Sequence, residues 1–227
     1  GGVSTATPPD FTVTLTGYQV IKFNIDDKAY ESASVSYNSL PIMRYAEVLL
    51  NYAEAKAELG EFSDDIWNKT IKPLRERAGV DGKRPTSAAP YLQQYYGLSD
   101  SDLLEIRRER AIELLLEGFR YNDLMRWHAG ELLNKQWYGI YIPAMDTSYD
   151  LNGDGINDVC VISGEAGNEP GVTYIVLDDS KYSLENGTTG RLLYTVGRNF
   201  EEKRYLRPIP KTALNINPDL GQNYYWR

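Results

Sequence analysis

The sequence predicts a mainly α fold: a helical bundle with a β-rich insertion and an extended C-terminal tail. Residues 41–134 are rich in Ala, Leu and Glu, with apolar positions at helical spacing. Residues 137–200 instead carry short runs of β-branched and aromatic residues between clusters of Gly, Asn and Asp. The last stretch, 205–227, is rich in Pro and Asn, and we expect it to dock in an extended form on the helices. With 227 residues, 42% of them hydrophobic, the chain can bury a substantial core.

The chain opens with a predicted strand and a predicted helix. Phe11–Phe23 alternates polar with apolar residues, which is the period of a half-buried strand, and 24–40 follows as a polar loop. A helix is predicted over Ile42–Leu59, after Pro41 and before Gly60. This helix is apolar on most sides, so we expect it at the centre of the bundle, covered by neighbouring helices.

A second helix is predicted from a Ser63 cap to Ala78, kinked or interrupted at Pro73. The first two helices together resemble one tetratricopeptide unit, because YAEAKAELGEF combines small residues at the helix crossing with Leu-Gly and an aromatic residue. No second clear copy follows at about 34 residues. The bundle is therefore predicted to be tetratricopeptide-like.

After a loop that contains Pro85 and Pro90, a third helix is predicted to start at Ser99 or Ser101 and to reach Gly118, where the chain turns. A fourth helical piece follows in FRYNDLMRWHAGELL. The predicted organisation is a helical framework over 41–134, a β-rich insertion over 137–200 and a docking tail over 205–227.

Charge and composition exclude several classes of function. The chain has 24 basic and 32 acidic residues, a net charge of −8, so it lacks the basic surface that a nucleic-acid partner requires. No apolar run approaches the roughly 20 residues of a membrane-spanning helix. A single cysteine, Cys160, excludes an internal disulfide and a cysteine-built zinc site. A single histidine, His128, excludes motifs that need two, and with it a Ser-His-Asp arrangement cannot be defended.

Four separated blocks carry a resemblance to a known family. They are LPIMRYAEVLLNYAEAKAELG (Leu40–Gly60), LRERAGV (Leu74–Val80), IRRERAIELLLEGFRYNDLMRW (Ile106–Trp127) and YLRPIPKTALNINPDLGQNYYW (Tyr205–Trp226). In order and content these blocks resemble the C-terminal half of the SusD/RagB family of outer-membrane glycan-binding lipoproteins. The insertion matches that family only in its general pattern of short β-rich runs between Gly, Asn and Asp clusters. The chain lacks the tetratricopeptide-rich N-terminal half of such proteins.

The resemblance implies a non-catalytic protein on the extracellular face of the outer membrane, which captures an oligosaccharide or polysaccharide and delivers it to a TonB-dependent transporter barrel. Such a protein is anchored by a lipid on an N-terminal cysteine, which cannot be Cys160 because that residue lies deep in the chain. The chain is therefore expected to be part of a longer protein, with the missing N-terminal half as a partner. The alternative is a helical docking scaffold of the transporter complex with no sugar site in this chain. A glycan-active enzyme is a third possibility.

The sharpest local motif predicts a structural calcium site. Oxygen side chains stand at positions 1, 3, 5 and 9 of a loop whose sixth residue is Gly155, and the position-7 carbonyl adds another ligand. The predicted ligands are Asp150, Asn152, Asp154, Ile156 and Asp158. Position 12 is Val161 rather than the bidentate Glu of an EF-hand, and the alternative is a solvated Asx-Gly turn.

A stripe of glutamates on the third helix, Glu109, Glu113 and Glu117, has the i, i+4, i+8 spacing of one helix face. Di-iron carboxylate sites use such stripes together with Glu-x-x-His pairs, and one histidine cannot supply them. Because arginines are interleaved with these glutamates, we expect salt bridges that fix helix packing.

Sugar binding requires flat aromatic rings on exposed loops, beside polar groups that bind hydroxyls. The predicted carbohydrate-binding residues are Tyr30, Tyr37, Trp137 and Tyr138, with Tyr141, Tyr149 and Tyr182 as further candidates in the insertion. An exposed tyrosine with no ligand role is the alternative at each position.

Overall fold

The computed structural model describes residues 11, 14–23, 39–178 and 181–226. The chain divides into two compact units. One is β-rich and comprises Gly1–Ser39 and Asn134–Asn199; the other is helical and comprises Leu40–Leu133 and Phe200–Arg227. The predicted sugar-binding residues Tyr30 and Tyr37 lie outside the described residues.

The described residues of the helical unit form seven α-helices. They are α1 (Tyr45–Glu58), α2 (Asp64–Lys69), α3 (Ile71–Arg77), α4 (Pro90–Tyr96), α5 (Ser101–Glu113), α6 (Phe119–Arg126) and α7 (Lys211–Ile216). Its main core lies between α1, α2, α3 and α5 and includes Leu50, Trp67, Ile71 and Ile106. The indole of Trp67 also donates a hydrogen bond to the Gly82 carbonyl oxygen.

The predicted second helix is two helices, α2 and α3, separated at Thr70. Pro73 causes the break, because a proline ring in a helix clashes with the carbonyl group four residues earlier, here that of Lys69 at the end of α2. The Thr70 hydroxyl donates to the Ile66 carbonyl oxygen at 2.6 Å and completes the hydrogen bonding of that turn.

Two further helix limits differ from the sequence prediction. The segment around Pro90 is predicted as a loop from the sequence, but it contains helix α4. Pro90 lies in the first turn of this helix, and Gly97 ends it with φ +66°. Proline at the start and glycine at the end are typical of a short helix. The N-cap of α5 is Asp100, not a serine, since its carboxylate accepts from the Asp102 and Leu103 amides.

The first helix packs against its neighbours on one side only. Its buried face, with Ala46, Leu50 and Ala53, contacts α5, α2 and α3. The prediction of a central position is therefore wrong for the described residues. Four apolar side chains on the opposite side are exposed: Tyr45, Val48, Tyr52 and Leu59.

Buried ion pairs connect the helices. Arg75 on α3 reaches two carboxylates of α5, Glu105 at 2.7 Å and Glu109 at 2.6 Å. Arg110 on α5 contacts Asp123 on α6 at 2.7 Å, and both side chains are about 95% buried.

The remaining members of the glutamate stripe are also paired. Glu113 contacts Arg44 and Arg77, and Glu117 contacts Arg44. The interpretation of the stripe as helix-fixing salt bridges is confirmed. Arg120 on the same stretch donates a hydrogen bond to the hydroxyl of Tyr96.

The part of the β-rich unit that the structure describes forms two three-stranded sheets. Their strands are β1 (Trp137–Ile142), β2 (Ser148–Tyr149), β3 (Val159–Ile162), β4 (Thr173–Val176), β5 (Tyr182–Leu184) and β6 (Gly190–Tyr194). One sheet has the order β1-β6-β5 and is antiparallel. The other has the order β2-β3-β4, in which β3 and β4 run parallel. Apolar residues of both sheets, including Ile142, Val161 and Leu192, share one core.

The predicted opening strand is not formed in the part of Phe11–Phe23 that the structure describes. Phe11 is buried in the β-rich core, and the Leu15 carbonyl oxygen accepts a single hydrogen bond from the amide of Ile140. The alternating pattern thus reflects contact with a sheet edge and not a paired strand.

The C-terminal tail is less extended than predicted, because it includes α7 and folds back on itself. Gln222 both accepts from the Ile209 amide and donates to the Ile209 carbonyl oxygen. The indole of Trp226 donates to the carbonyl oxygens of Lys203 and Leu206. These bonds close the tail into a loop.

In the ranges that the structure describes, no helix is long and apolar enough to cross a membrane.

Replacing Asp123 by alanine should destabilise the helical unit strongly. The change leaves the buried guanidinium of Arg110 without its carboxylate, which typically costs about 3 to 5 kcal/mol. Denaturant unfolding measures the loss. Asp65→Ala is the matched control, because Asp65 pairs with Lys69 on the surface, and it should cost less than about 1 kcal/mol. Equal costs for the two variants would contradict a structural role for the buried pair.

Stability of the helical unit should fall in acid. Burial opposes ionisation of Glu54, but hydrogen bonds from Arg126 and Trp127 outweigh it and lower the pKa of this carboxyl from its ordinary 4.5. A lowered pKa contributes stability that is present above the unfolded-state value and is lost as the pH falls through the folded-state value. We therefore expect the free energy of unfolding to decline as the pH drops below about 4.5. The decline should be shallower in Glu54→Gln; an unchanged slope in that variant would refute the assignment.

Candidate functional site

The exposed aromatic side chains of the insertion lie on β1 and its neighbours. Trp137 is 57% exposed, Tyr138 43% and Tyr141 65%. Strand β1 is at the edge of its sheet, so its side chains are accessible without a loop to carry them. The prediction that these rings are exposed is correct, but they stand on a strand and not on a mobile loop.

Trp137 and Tyr138 do not form one surface. Adjacent residues of a strand point to opposite faces of the sheet. Trp137 pairs with Tyr194 and its ring stacks on that tyrosine, 6.2 Å between centroids. Tyr138 pairs with Leu193 and lies on the other face. The two predicted binding residues therefore belong to two different surfaces.

Both rings carry an arginine on one face. The guanidinium carbon of Arg198 lies 3.7 Å from the Trp137 ring centroid, and that of Arg191 lies 3.7 Å from the Tyr138 centroid. Cation–π contacts at this distance hold the arginines against the sheet. Each ring thus has one face already covered, which leaves less flat surface for a ligand than the exposed fractions suggest.

A β-bulge places Tyr141 on the same face as Tyr138. In the ladder to β6, Tyr138 faces Leu193 and Tyr141 faces Arg191, so three steps along β1 match two along β6. Directly opposed residues share a face of an antiparallel sheet. Tyr138, Arg191 and Tyr141 are therefore neighbours on the outer face. We call this surface, together with Glu185, the outer platform.

Gly139 allows this bulge. The Ile140 amide donates to the Leu15 carbonyl oxygen at 2.9 Å, which brings the backbone of Leu15 against Gly139. A Cβ atom at position 139 would collide with that carbonyl oxygen. The register that places the two tyrosines on one face thus requires glycine at position 139. This requirement is apparent only from the folded structure.

Glu185 completes the outer platform. Its carboxylate accepts from Arg191 Nε at 3.0 Å and from Nη2 at 2.7 Å, a bidentate pair on the surface. The hydrogen bond from Arg191 lowers the pKa of Glu185, so the pair is fully charged at neutral pH. Sequence analysis missed both residues, because an Arg and a Glu six positions apart carry no signal until the β5–β6 turn brings them together.

Two of the other candidate tyrosines have structural roles. The Tyr149 hydroxyl exchanges hydrogen bonds with the backbone of Ala144, and its ring packs against the core of the β-rich unit. Tyr182 packs against the same core and lies beside Tyr194. Their positions fit the alternative reading of an ordinary surface or core tyrosine.

The predicted calcium loop connects β2 with β3 and is wound by its own hydrogen bonds. Asp150 accepts from the amides of Gly153 at 2.6 Å and Gly155 at 2.8 Å, and these bonds lower the pKa of its carboxyl. Both glycines have positive φ, +79° and +87°, as the sharp turn requires. The winding and the glycine positions fit a cation-binding loop.

The side chains of the loop fit a calcium site less closely than its backbone does. Asn152 donates its amide to Asp154, and Asp158 is buried and accepts from the Leu151 amide. Within the described ranges, no three acidic, cysteine or histidine side chains are grouped as metal ligands. Since each carboxylate has up to four acceptor positions, the oxygens that are not used by amides are still available to a cation.

Comparison with known proteins identifies relatives of this chain. The SusD family model matches residues 2–226. The SusD-like protein P38 of Formosa agariphila is 33% identical over 97 residues, 42% of this chain and 18% of that protein. A solved SusD-like protein from Bacteroides fragilis is 22% identical with a TM-score of 0.47, over 81% of this chain and 25% of that one. The chain thus spans only a quarter or less of the length of these relatives. Because the family match covers nearly all of its residues, this chain belongs to the SusD family.

Proposed function

We propose that this chain is part of a cell-surface protein that binds an oligosaccharide or polysaccharide without cleaving it and delivers it to a TonB-dependent transporter in the outer membrane. The observation that carries the proposal is a set of exposed aromatic rings beside polar groups on β1, in a member of the SusD family. Flat apolar rings next to hydrogen-bonding groups are what a sugar ring requires from its site.

Binding without catalysis agrees with the chemistry of the buried acids. A glycosidase needs one carboxyl whose pKa is raised so that it can donate a proton. The carboxyl of Glu54 is buried and that of Glu113 is half-buried, yet arginine hydrogen bonds lower their pKa values. These residues are therefore held as anions in ion pairs and serve the helical framework.

The proposal places the protein on the extracellular face of the outer membrane, held by a lipid on a cysteine outside this chain. Cys160 is buried in β3 and is not such an anchor. The rest of the protein, an N-terminal half as in longer relatives, completes the binding surface and the contact with the transporter.

We also propose that Ca²⁺ binds in the β2–β3 loop and stabilises the β-rich unit. Asp150, Asn152, Asp154 and Asp158 would supply side-chain oxygens, and Ile156 its carbonyl oxygen. Support comes from the loop winding and from the oxygen-bearing side chains at positions 1, 3, 5 and 9. A bound cation supplies only charge neutralisation and cross-linking of the loop here, since calcium has no redox chemistry.

A second candidate function is a docking scaffold without a sugar site, and α1 favours it. Tyr45, Val48 and Tyr52 of this helix, with Leu59 directly after it, are exposed and follow the a, d, a and a positions of three successive heptads, the spacing with which one helix packs on another. We propose that α1 and α2 act as a tetratricopeptide-like unit whose outer face contacts a further helix. This second function and the first can coexist in one protein.

The calcium proposal predicts a higher melting temperature with Ca²⁺ than with EDTA. A site that exists only in the folded state adds RT ln(1 + [Ca²⁺]/Kd), about 2.7 kcal/mol at one hundred times Kd. Asp154→Ala should abolish the shift. Glu165→Ala, an exposed acid of the same unit outside the loop, is the control and should retain it. Identical melting temperatures in the two buffers would refute the proposal.

The sugar-binding proposal predicts that alanine at Trp137 or Tyr138 reduces retention in polysaccharide affinity gels and leaves the melting temperature unchanged, because neither side chain is buried. The same is expected at Tyr30 and Tyr37. Tyr91→Ala is the control, since Tyr91 is 60% exposed on α4. Unimpaired retention of all four variants would place the sugar site elsewhere and leave the docking function. Release of reducing ends would indicate an enzyme.

A further inference from the structure

The most exposed aromatic side chain of the β1-β6-β5 sheet is also one whose ring faces are not covered by a cation or another ring of the described residues. Tyr141 is 65% exposed. Trp137, Tyr138 and Tyr182 each have a cation over their rings, from Arg198, Arg191 and Lys181 respectively. Over the described stretches of the chain, no ring or cation stacks on Tyr141. Its flat face is therefore available to a ligand.

The polar group beside Tyr141 is a neutral pair. Tyr141 faces Arg191 across the ladder, and Arg191 is bound to Glu185 through two hydrogen bonds. This leaves Arg191 Nη1 without a hydrogen bond to any described residue, while Glu185 Oε1, which accepts from Nη2 alone among the described residues, keeps a further acceptor position. The pair thus offers a donor and an acceptor side by side with a net charge of zero.

Arg191 is held in place from two directions. Its guanidinium carbon lies over the Tyr138 ring, 3.7 Å from the centroid, and its Nε and Nη2 atoms donate to Glu185. A side chain restrained in this way loses less rotamer freedom when it binds a ligand. Tyr138 is therefore a positioning residue for Arg191, and Tyr141 is the ring that can contact a ligand directly.

The geometry points to a sugar site: we infer that the outer platform of Tyr141, Arg191, Glu185 and Tyr138 binds a pyranose unit of a neutral polysaccharide. This inference rests on the proposed function and names its substrate class. The sugar ring stacks on Tyr141, and two neighbouring hydroxyls exchange hydrogen bonds with Arg191 Nη1 and the Glu185 carboxylate. Hydroxyls can do this because each is both donor and acceptor.

Charge selects against an acidic sugar at this surface. A carboxylate or sulfate on the ligand would compete with Glu185 for Arg191 and would be repelled by the Glu185 carboxylate. The net charge of −8 on the whole chain acts in the same direction at longer range. The outer platform therefore favours neutral polysaccharides.

Affinity gels with the full 227-residue chain test the inference. The probes are neutral (amylopectin, galactomannan and xylan) and anionic (polygalacturonate, alginate and chondroitin sulfate). We expect retention by at least one neutral polysaccharide and about a tenfold weaker affinity in Tyr141→Ala, the loss of a dominant contact. Tyr91→Ala should bind as the parent does, and circular dichroism should show that every variant is folded.

Two further variants separate positioning from direct contact. Tyr138→Phe keeps the ring under Arg191 and should bind normally, whereas Tyr138→Ala should weaken binding. Glu185→Gln leaves Arg191 unbalanced and should shift retention toward the anionic polysaccharides. A structural role of Glu185 alone would not change this selectivity.

Three outcomes are possible besides the expected one. Retention by a neutral polysaccharide that Tyr141→Ala does not weaken overturns the inference and leaves the proposed function in place. Retention by the anionic polysaccharides alone has the same consequence. No retention by any probe overturns the inference together with the sugar-binding function of this chain.

Discussion

Pairing between buried guanidinium and carboxylate groups is the constraint on which the helical unit depends. The pairs form a connected series: Arg75 of α3 with Glu105 and Glu109 of α5, Arg110 of α5 with Asp123 of α6, and Arg126 of α6 with Glu54 of α1. Each of these pairs joins two helices and so ties the orientation of one helix to that of another. Since an unpaired buried charge costs several kcal/mol, any rotation of one helix that breaks its pair is strongly disfavoured. The network selects one arrangement of the helices, even where an apolar core of equal volume would be as stable.

On α1, apolar residues provide the close packing and a charged residue fixes the rotation of the helix. Its buried face is made largely of small residues such as Ala46 and Ala53, which allow close approach of α5. Glu54 on the same side supplies the charge that fixes rotation. The opposite side exposes Tyr45, Val48 and Tyr52. A helix that packs through one apolar face and exposes a second has room for a further neighbour on its exposed side.

In the β-rich unit, one irregularity determines what the surface presents. Without the bulge at Gly139 and Ile140, Tyr138 and Tyr141 would point to opposite faces of the sheet. The bulge realigns them around Arg191, and the β5–β6 turn adds Glu185. The register of β1 against β6 therefore decides which side chains lie together on this unit. In a regular strand, the same residues would lie on two opposite faces of the sheet.

Local pattern and composition were enough to predict a mainly helical chain with a β-rich insertion and ion pairs along the glutamate stripe, and four motif blocks carried the resemblance to the SusD family. These features depend on residues close in sequence or on block motifs. Only the tertiary structure decided that Pro73 divides a helix at Thr70, that one side of α1 is exposed, and that Tyr141 joins Tyr138 beside Arg191 and Glu185. The reason is physical: register, burial of a face and pairing across strands are set by groups far apart in the chain, and a one-residue shift in register reverses the face of every side chain that follows.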